Sequence, residues 1–454
     1  MSIAAGIFRQ YDIRGVVGND LTIEAAEGIG RAYAALLDER GVAGPVAVGR
    51  DNRPSGDGLR DSLVRGLTTR GRDVIDIGVG PTPLLYWSLH HLSVAGGIQI
   101  TGSHNPPEFN GFKICVGTGS LHGDGIQRLR ALLDAPATTN VGTVRHENLD
   151  AAYADDIIAR TGALPRRLKV VLDAGNGAGG PLTEAIFSRM NVDATYLFCD
   201  SDGTFPNHHP DPTVEENLVD LIAEVRKVGA DIGIAFDGDA DRIGIVDAAG
   251  TIIWGDYLLL LYARDVFART GGDQAIIFDV KCSQALPDAI TKAGGMPVMW
   301  KTGHSLIKDK MKELSAPVAG EMSGHMFFTE GFYGHDDALY AAARILRIVA
   351  SSEGSVRDLL ADVPSYFSTP ELRVDCDDDR KFSLVQAASE HFRRTHDVID
   401  VDGARVLFGD GWGLIRASNT QPIVVLRFEA LTAERRDAIR AEFYAWMRTQ
   451  GVAV

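Results

Sequence analysis

Cysteine is scarce: Cys115, Cys199, Cys282 and Cys376 are the only four in 454 residues, and they stand far apart. No pair has the spacing of a metal knuckle, so these thiols read as buried or incidental residues in a reducing cytosol. Long apolar runs are missing as well. The longest, 257–263, falls far short of a bilayer span, and 1–10 holds neither an apolar core nor a cleavage site. A cytoplasmic protein without a membrane partner is expected. Positive charge is in deficit, with 45 Lys and Arg against 61 Asp and Glu and a net charge of −16. That balance argues against nucleic acid, so an anionic ligand would need a local basic pocket in an acidic molecule. A Walker loop, a serine-hydrolase elbow and zinc-type His/Cys spacing are absent too.

What is present is glycine, at 50 residues, in a chain that is 45% hydrophobic and 23% charged. The length suits three or four domains with ample buried core. Short apolar strands alternate with helix-length amphipathic segments, the pattern of α/β layers. Strands are expected over 45–49, 73–77 and 97–100, with helices over 59–70 and 84–91. The pattern restarts with strands over 169–173, 194–198 and 231–236 and helices over 181–190 and 214–228. It restarts again with strands over 275–280, 297–300 and 317–319 and helices over 286–292 and 305–314. Each unit runs strand, helix, strand, helix, strand, and each ends in a distinctive polar loop. After Pro364 the texture changes to an α+β tail, with strands over 371–375, 406–408, 413–417 and 423–429 and helices over 384–394 and 433–448.

The loop Thr101-Gly102-Ser103-His104-Asn105-Pro106 follows the first unit's last strand. Gly102 permits a backbone conformation closed to other residues, and Pro106 pushes Asn105 towards an extended one. Ser103 is thereby held out on a stiff turn, placed to carry a phosphoryl group; taken alone, the segment is also an ordinary polar turn. The second unit ends in Asp237-Gly238-Asp239-Ala240-Asp241-Arg242. Three carboxylates at i, i+2 and i+4 after an apolar strand can converge on one hard cation, and Mg²⁺ prefers such oxygen ligands. A calcium EF-hand fails in detail, since Arg242 and Ala248 stand where glycine and glutamate are needed.

Gly175-Asn176-Gly177-Ala178-Gly179-Gly180, with Asp200 ending the next strand, matches the spacing of a dinucleotide-binding turn. An NAD-dependent oxidoreductase is therefore one reading, and a tight strand-to-helix turn is the other. Glu321 and Ser323 in Gly320-Glu321-Met322-Ser323-Gly324-His325 alternate, so in an extended loop both would face one ligand, such as vicinal sugar hydroxyls. In the tail, Arg416, Ser418, Asn419 and Thr420 combine a guanidinium with hydroxyls and an amide, a set suited to a phosphate. Tyr11, Arg14, Lys113, Lys281 and His304 are further candidates, each singly as consistent with a surface cation or satisfied ring.

Taken together, five motifs in order resemble the α-D-phosphohexomutase superfamily, in particular its bacterial phosphomannomutase/phosphoglucomutase branch. They are Tyr11-Asp-Ile-Arg-Gly15, Thr101-Gly-Ser-His-Asn-Pro106, Asp237-Gly-Asp-Ala-Asp-Arg242, Gly320-Glu-Met-Ser-Gly-His325 and Arg416-Ala-Ser-Asn-Thr-Gln-Pro422. The resemblance implies three consecutive similar α/β domains with mixed sheets plus a C-terminal α+β, TATA-binding-protein-like domain, in a four-domain heart shape. It implies a phosphoserine-loop domain over 1–150, a metal-loop domain over 151–252, a sugar-recognition domain over 253–366 and a phosphate-clamp domain, mobile as a lid, over 367–454. Carried over by residue, Ser103 looks like the phosphoserine, and Asp237, Asp239 and Asp241 look like Mg²⁺ ligands with Ser103 adding an oxygen. Arg14, Lys113, Arg242 and His304 would surround the transferring phosphoryl, and Lys113, His304 and His325 remain open as proton carriers. Glu321 and Ser323 would read the sugar; Arg416, Ser418, Asn419 and Thr420 would clamp the distal phosphate; Lys281, Tyr11 and His325 would line the cleft. Glucose 1,6-bisphosphate would serve as activator and intermediate. Partners would be hexose phosphates, and the enzyme a monomer or weak homodimer. Met322 resembles the glucose/mannose branch, with phosphoglucosamine mutase the alternative; a phosphatase-like hydrolase and a non-catalytic metal-binding module are rival classes.

Overall fold

The computed structural model describes residues 3–419 and 421–454. Three α/β domains with mixed sheets precede a C-terminal domain of different architecture. In the first sheet the order runs Ile13–Val16, Phe109–Val116, Gly96–Ile100, Val46–Arg50, Val74–Val79, Val144–His146. In the second it runs Ile252–Ile253, Ile243–Asp247, Ile232–Phe236, Leu168–Asp173, Val192–Leu197. The third runs Met326–Phe328, Val318–Gly320, Ala275–Asp279, Met296–Trp300.

One rule covers all three. The strands Gly96–Ile100, Ile232–Phe236 and Val318–Gly320 each run parallel to a buried neighbour on one side. On the other side each pairs antiparallel with the strand that follows it in sequence. The connection between them is a hairpin loop at the carboxyl end of the central strand, where open α/β sheets bind ligands. The serine, acidic and Glu321 loops all occupy that position. The return strand then brings further residues alongside: Lys113 is registered with Gln99.

The strands form where apolar, β-branched runs allow burial on both faces, as in the fully buried Ile232–Phe236. The expected helix over 214–228 divides into a 3₁₀ turn, Glu215–Leu218, and the α-helix Val219–Val228. Helices Ile23–Glu39, Gly255–Thr270 and Ala338–Ala350 escaped the sequence reading; of these, Gly255–Thr270 is the one whose 3.6-residue period is blurred by burial on several faces.

The fourth domain is an antiparallel sheet ordered Phe367–Ser368, Ile423–Ala430, Gly411–Ala417, Ala404–Leu407, Asp397–Ile399, packed with helices Lys381–Phe392 and Ala433–Thr449. Core ownership separates it from the rest. One continuous apolar cluster includes Trp87, Leu172 and Phe328 and so spans the first three domains, whereas the fourth encloses its own around Phe428 and Phe443. No helix among the described residues is long and apolar enough to cross a membrane.

Candidate active site

Ser103 is 2% exposed and holds a left-handed backbone, φ 52°. The strain therefore sits on the serine itself and not on Gly102, as the sequence suggested. Gly102 is required for space: a Cβ there would lie 2.5 Å from the Arg53 guanidinium and 2.8 Å from the Phe109 carbonyl. The Ser103 N–H donates to Thr101 Oγ1 at 2.8 Å, and its Oγ donates to Asp237 Oδ2 at 3.2 Å. The His104 ring nitrogen Nδ1 lies 3.2 Å from the same hydroxyl.

Arg53 holds this loop in place, and the sequence reading missed it. Fully buried, it donates to the carbonyls of Ser103 (2.7 Å), Asn105 (2.6 Å), Pro106 (2.5 Å) and Phe109 (3.1 Å). Asp51 pairs with Arg53 at 3.0 Å and also accepts from the Thr101 hydroxyl and the Gly102 N–H. The signal was the polar Asp51-Asn52-Arg53 run at the end of the apolar strand Val46–Arg50.

Asp237, Asp239 and Asp241 are wholly buried and offer oxygens within 4.8 Å of one another. Burial and the neighbouring Asp239 and Asp241 charges push the Asp237 carboxyl well above its ordinary pKa. Burial also raises Asp241, but Lys113, His325 and Arg242 more than offset it and hold that group well below. Asp239 Oδ1 has no hydrogen-bond partner among the described residues. Three converging carboxylates with an orphaned oxygen, edges short enough for bonds of about 2.1 Å, and a hydroxyl beside them fit a hard divalent cation.

The acidic loop is moulded from three sides. Thr82, the first residue of helix Thr82–His91, donates its N–H to the Asp239 carbonyl at 2.9 Å and its hydroxyl to Asp239 Oδ2 at 2.5 Å. Ala338, opening helix Ala338–Ala350, donates its N–H to the Ala240 carbonyl at 3.2 Å. Positive helix ends from the first and third domains thus face the carboxylates of the second. The glycine run Gly175–Gly180 packs behind: Ala178 N–H donates to the Gly238 carbonyl, and a Cβ on Gly177 would meet that oxygen at 2.8 Å. Gly177 and Gly179 are needed for contact with the acidic loop, and Gly175 and Gly180 for close approach to Pro210 and the Cys199 carbonyl, which accounts for the run without a dinucleotide.

Lys113 Nζ donates to Asp239 Oδ2 at 2.7 Å and also to Asp241. Arg14 pairs with Asp12 at 2.6 Å and, with Arg242, lies close enough to lower the His104 pKa, which burial already depresses. Arg242 and His325 form an isolated backbone bridge joining the acidic and Glu321 loops, and Arg242 Nε lies 3.3 Å from His325 Nε2.

Glu321-Met322-Ser323-Gly324 is a tight turn, closed by Gly324 N–H to the Glu321 carbonyl at 3.0 Å, and not the extended segment expected. The short return to Met326–Phe328 forces this, and Gly324 takes φ 94° within it. Glu321 Oε1 accepts from Gly303 N–H at 2.5 Å, and Oε2 pairs with His325 Nδ1 at 2.7 Å. Ser323 Oγ lies 3.2 Å from the same nitrogen. Burial lowers the His325 pKa, but Asp241 and Glu321 outweigh it and raise the group to about 9. His304 stacks on His325 at 5.9 Å; burial, Lys308 and Lys113 keep it neutral, well below its ordinary value. Asp336, also missed, has Oδ2 facing His304 Nδ1 at 3.8 Å and His325 Nε2 at 4.0 Å.

The fourth domain completes the cleft. Arg416 Nε donates to Asp402 Oδ2 at 3.0 Å, and that carboxylate also accepts from Thr302 N–H. Ser418 Oγ accepts from Gln421 N–H at 3.1 Å, and Asn419 Nδ2 donates to the Tyr11 hydroxyl at 2.5 Å. Tyr11 in turn donates to the Thr302 carbonyl at 2.6 Å, so one ring ties three domains. Lys281 is paired with Glu371 at 3.1 Å. Thr420 lies outside the described residues. The contacts above link Ser103, the three aspartates, Lys113, Arg242, His304 and His325, while Tyr11 joins Asn419 to Thr302.

Comparisons with known proteins match the chain along nearly its whole length. Residues 5–136, 151–250 and 254–367 match phosphoglucomutase/phosphomannomutase alpha/beta/alpha domains I, II and III, and 371–445 match the C-terminal domain of the same family. A phosphomannomutase/phosphoglucomutase of Pseudomonas aeruginosa is 46% identical over 448 residues, covering 97% of this chain and 95% of that one. A phosphoglucomutase of Neisseria gonorrhoeae is 45% identical over 450 residues, covering 98% and 97%. The crystal structure of a phosphoglucomutase/phosphomannomutase family protein from Burkholderia thailandensis superposes with a TM-score of 0.91 at 42% identity, covering 98% of each chain.

Proposed function

The chain belongs to the phosphoglucomutase/phosphomannomutase family, and from that membership we propose a phosphoserine mechanism for its interconversion of hexose phosphates. It is an isomerase of a metal-dependent family. Phosphorylated Ser103 gives its phosphoryl group to the free hydroxyl of a hexose 1- or 6-phosphate: the Oγ–P bond breaks as the sugar O–P bond forms. The resulting hexose 1,6-bisphosphate turns around in the cleft and returns its other phosphoryl group to Ser103. The observation that carries this reading is Ser103 Oγ, strained and buried, 3.2 Å from Asp237 Oδ2 in a triad of carboxylates.

Asp237, Asp239 and Asp241 with the Ser103 oxygen would hold Mg²⁺, which supplies charge neutralisation for the phosphoryl group when bound. Lys113 and Arg242 lie where they offset the remaining phosphate charge. His325 exchanges the proton of the reacting sugar hydroxyl; Glu321 holds its Nδ1 at 2.7 Å, and its Nε2 lies 3.2 Å from Asp241. Arg14 and His304 flank the transfer. Glu321 and Ser323 read the sugar hydroxyls, and Tyr11 and Lys281 line the cleft. Arg416, Ser418, Asn419 and Thr420 clamp the phosphate that does not react. The fourth domain, with its separate core, opens and closes as a lid to keep water from the intermediate. The proposed domain limits are 1–150, 151–252, 253–366 and 367–454. Cytoplasmic hexose phosphates of mannose, glucose or both are the substrates, glucose 1,6-bisphosphate the activator, and the enzyme works as a monomer or weak homodimer, apart from nucleic acid and membranes. The phosphoglucosamine and NAD readings are not favoured.

Phosphorus NMR of the purified enzyme with Mg²⁺, trace glucose 1,6-bisphosphate and the 1-phosphates of glucose, mannose and glucosamine tests the reading. Glucose 1-phosphate, mannose 1-phosphate or both should become 6-phosphates, and Ser103→Ala should abolish multiple turnover. Release of free phosphate alone, or full activity in Ser103→Ala, would refute it.

A further inference from the structure

Two buried arginines of the fourth domain reach into the third beside a small apolar cluster. Arg405 and Arg427 on the sheet of the fourth domain are 0% and 3% exposed, and both aim at one short segment of the third domain, residues 280–284. That segment follows the strand Ala275–Asp279 and carries Lys281. Arg405 Nη1 donates to the carbonyls of Val280 and Cys282, each at 2.7 Å. Arg427 donates to the carbonyl between them, that of Lys281. The Gln284 N–H donates to Glu429 Oε1 at 2.9 Å, and Trp412 Nε1 donates to the same oxygen at 2.8 Å. The Arg405 guanidinium lies 3.7 Å from the Trp412 ring centroid, and Trp412 with Leu414 packs on Val280. Three consecutive carbonyls of the third domain therefore have their donors in the fourth.

Buried carbonyls keep such donors, because losing them leaves polar groups unsatisfied away from water. The strand leading into the segment is bonded on both edges within its own sheet. Within the third domain the segment keeps Cys282 N–H to the Asp279 carbonyl at 3.1 Å and Ser283 N–H to Asp256 Oδ2 at 2.9 Å, so it is shared between the two domains, with its three carbonyls satisfied from the fourth. Lys281 is tied to the same side by its ion pair with Glu371. Arg427 also packs against Met322 of the sugar loop.

We propose that Arg405 and Arg427 are positioning residues that couple the Lys281 segment to the lid, so that Lys281 and Arg416 approach the substrate together. This rests on the mutase reading, with Lys281 lining the cleft near Arg416.

A double-mutant cycle between Arg427→Met and Lys281→Ala tests it. Arg427→Met should raise KM for glucose 1-phosphate about tenfold while kcat stays within about threefold. In the Lys281→Ala background the same change should add less than about twofold, and Arg427→Lys should restore part of the loss. Equal effects in both backgrounds, or a fall in kcat at unchanged KM, would overturn the proposal. Absence of turnover in the unaltered enzyme would instead sink the mutase reading itself. If Arg427→Met does not fold, hydrogen exchange of the unaltered enzyme with and without glucose 1,6-bisphosphate decides. Amides of 280–284 should gain protection in step with 402–430; protection in step with Ala275–Asp279 overturns the proposal.

Discussion

Gly179 and Ala240 stand back to back: a Cβ on Gly179 would lie 2.7 Å from the Ala240 Cβ, and Ala240 itself holds φ 53°. The glycine turn and the acidic loop therefore share one fixed volume. Gly179→Ala should cost about 2 kcal/mol through overpacking. Ala240→Gly alone should change stability by less than about 1 kcal/mol, since relief of the left-handed backbone offsets the lost methyl and the added chain entropy. Combined, the second change should remove most of the cost of the first. Urea melts of the three variants check this; strict additivity would show that the two loops do not compete for space.

Lys113 donates to Asp239 and Asp241 with its side chain 5% exposed. Without it, two buried carboxylates lose their cation. Lys113→Met should destabilise the metal-free protein by about 3 kcal/mol. Added Mg²⁺ should recover much of that loss by replacing the missing charge. Thermal melts in EDTA and in millimolar Mg²⁺ provide the comparison, and an equal deficit in both would contradict the shared-charge argument.

Arg53 satisfies four carbonyls and one carboxylate, so its loss leaves several buried groups unpaired. Arg53→Ala should cost about 3–5 kcal/mol or prevent folding. Arg53→Lys should fold but reach fewer of the oxygens, lowering kcat by about tenfold through misplacement of Ser103. Steady-state kinetics beside circular dichroism separate the two effects.

Lys281 holds the Glu371 carboxyl down at about 2. A depressed folded-state pKa contributes stability above the ordinary carboxyl value near 4.5. That contribution disappears as pH falls through the window towards 2. With Glu371 24% exposed, water reduces the effect to about 1 kcal/mol. Glu371→Gln should therefore be less stable than the parent at pH 7, and the difference should shrink below pH 4.5. A constant difference across that window would assign the loss to packing and not to charge.

Much of this cleft was legible because its chemistry sits in short local runs. Three aspartates at alternating positions or a serine in a Gly/Pro-framed loop are visible without any partner. Their supports are not. Arg53 meets Ser103 across 50 residues and Thr82 meets Asp239 across 157, and nothing local marks either pairing. The placement of strain on Ser103 rather than Gly102 was hidden for the same reason, since it depends on the Arg53 guanidinium beneath the loop. Glu321 and Ser323 were expected on an extended loop and stand on a tight turn, because few residues separate the paired strands Val318–Gly320 and Met326–Phe328.

The three hairpin loops are each fastened at both ends to neighbouring strands of one sheet. What a loop carries is therefore separable from where it stands. A serine, an aspartate triad and a Glu/His pair occupy equivalent seats on three copies of one scaffold. Substituting chemistry within a seat changes what the cleft does, while leaving the seats themselves in register.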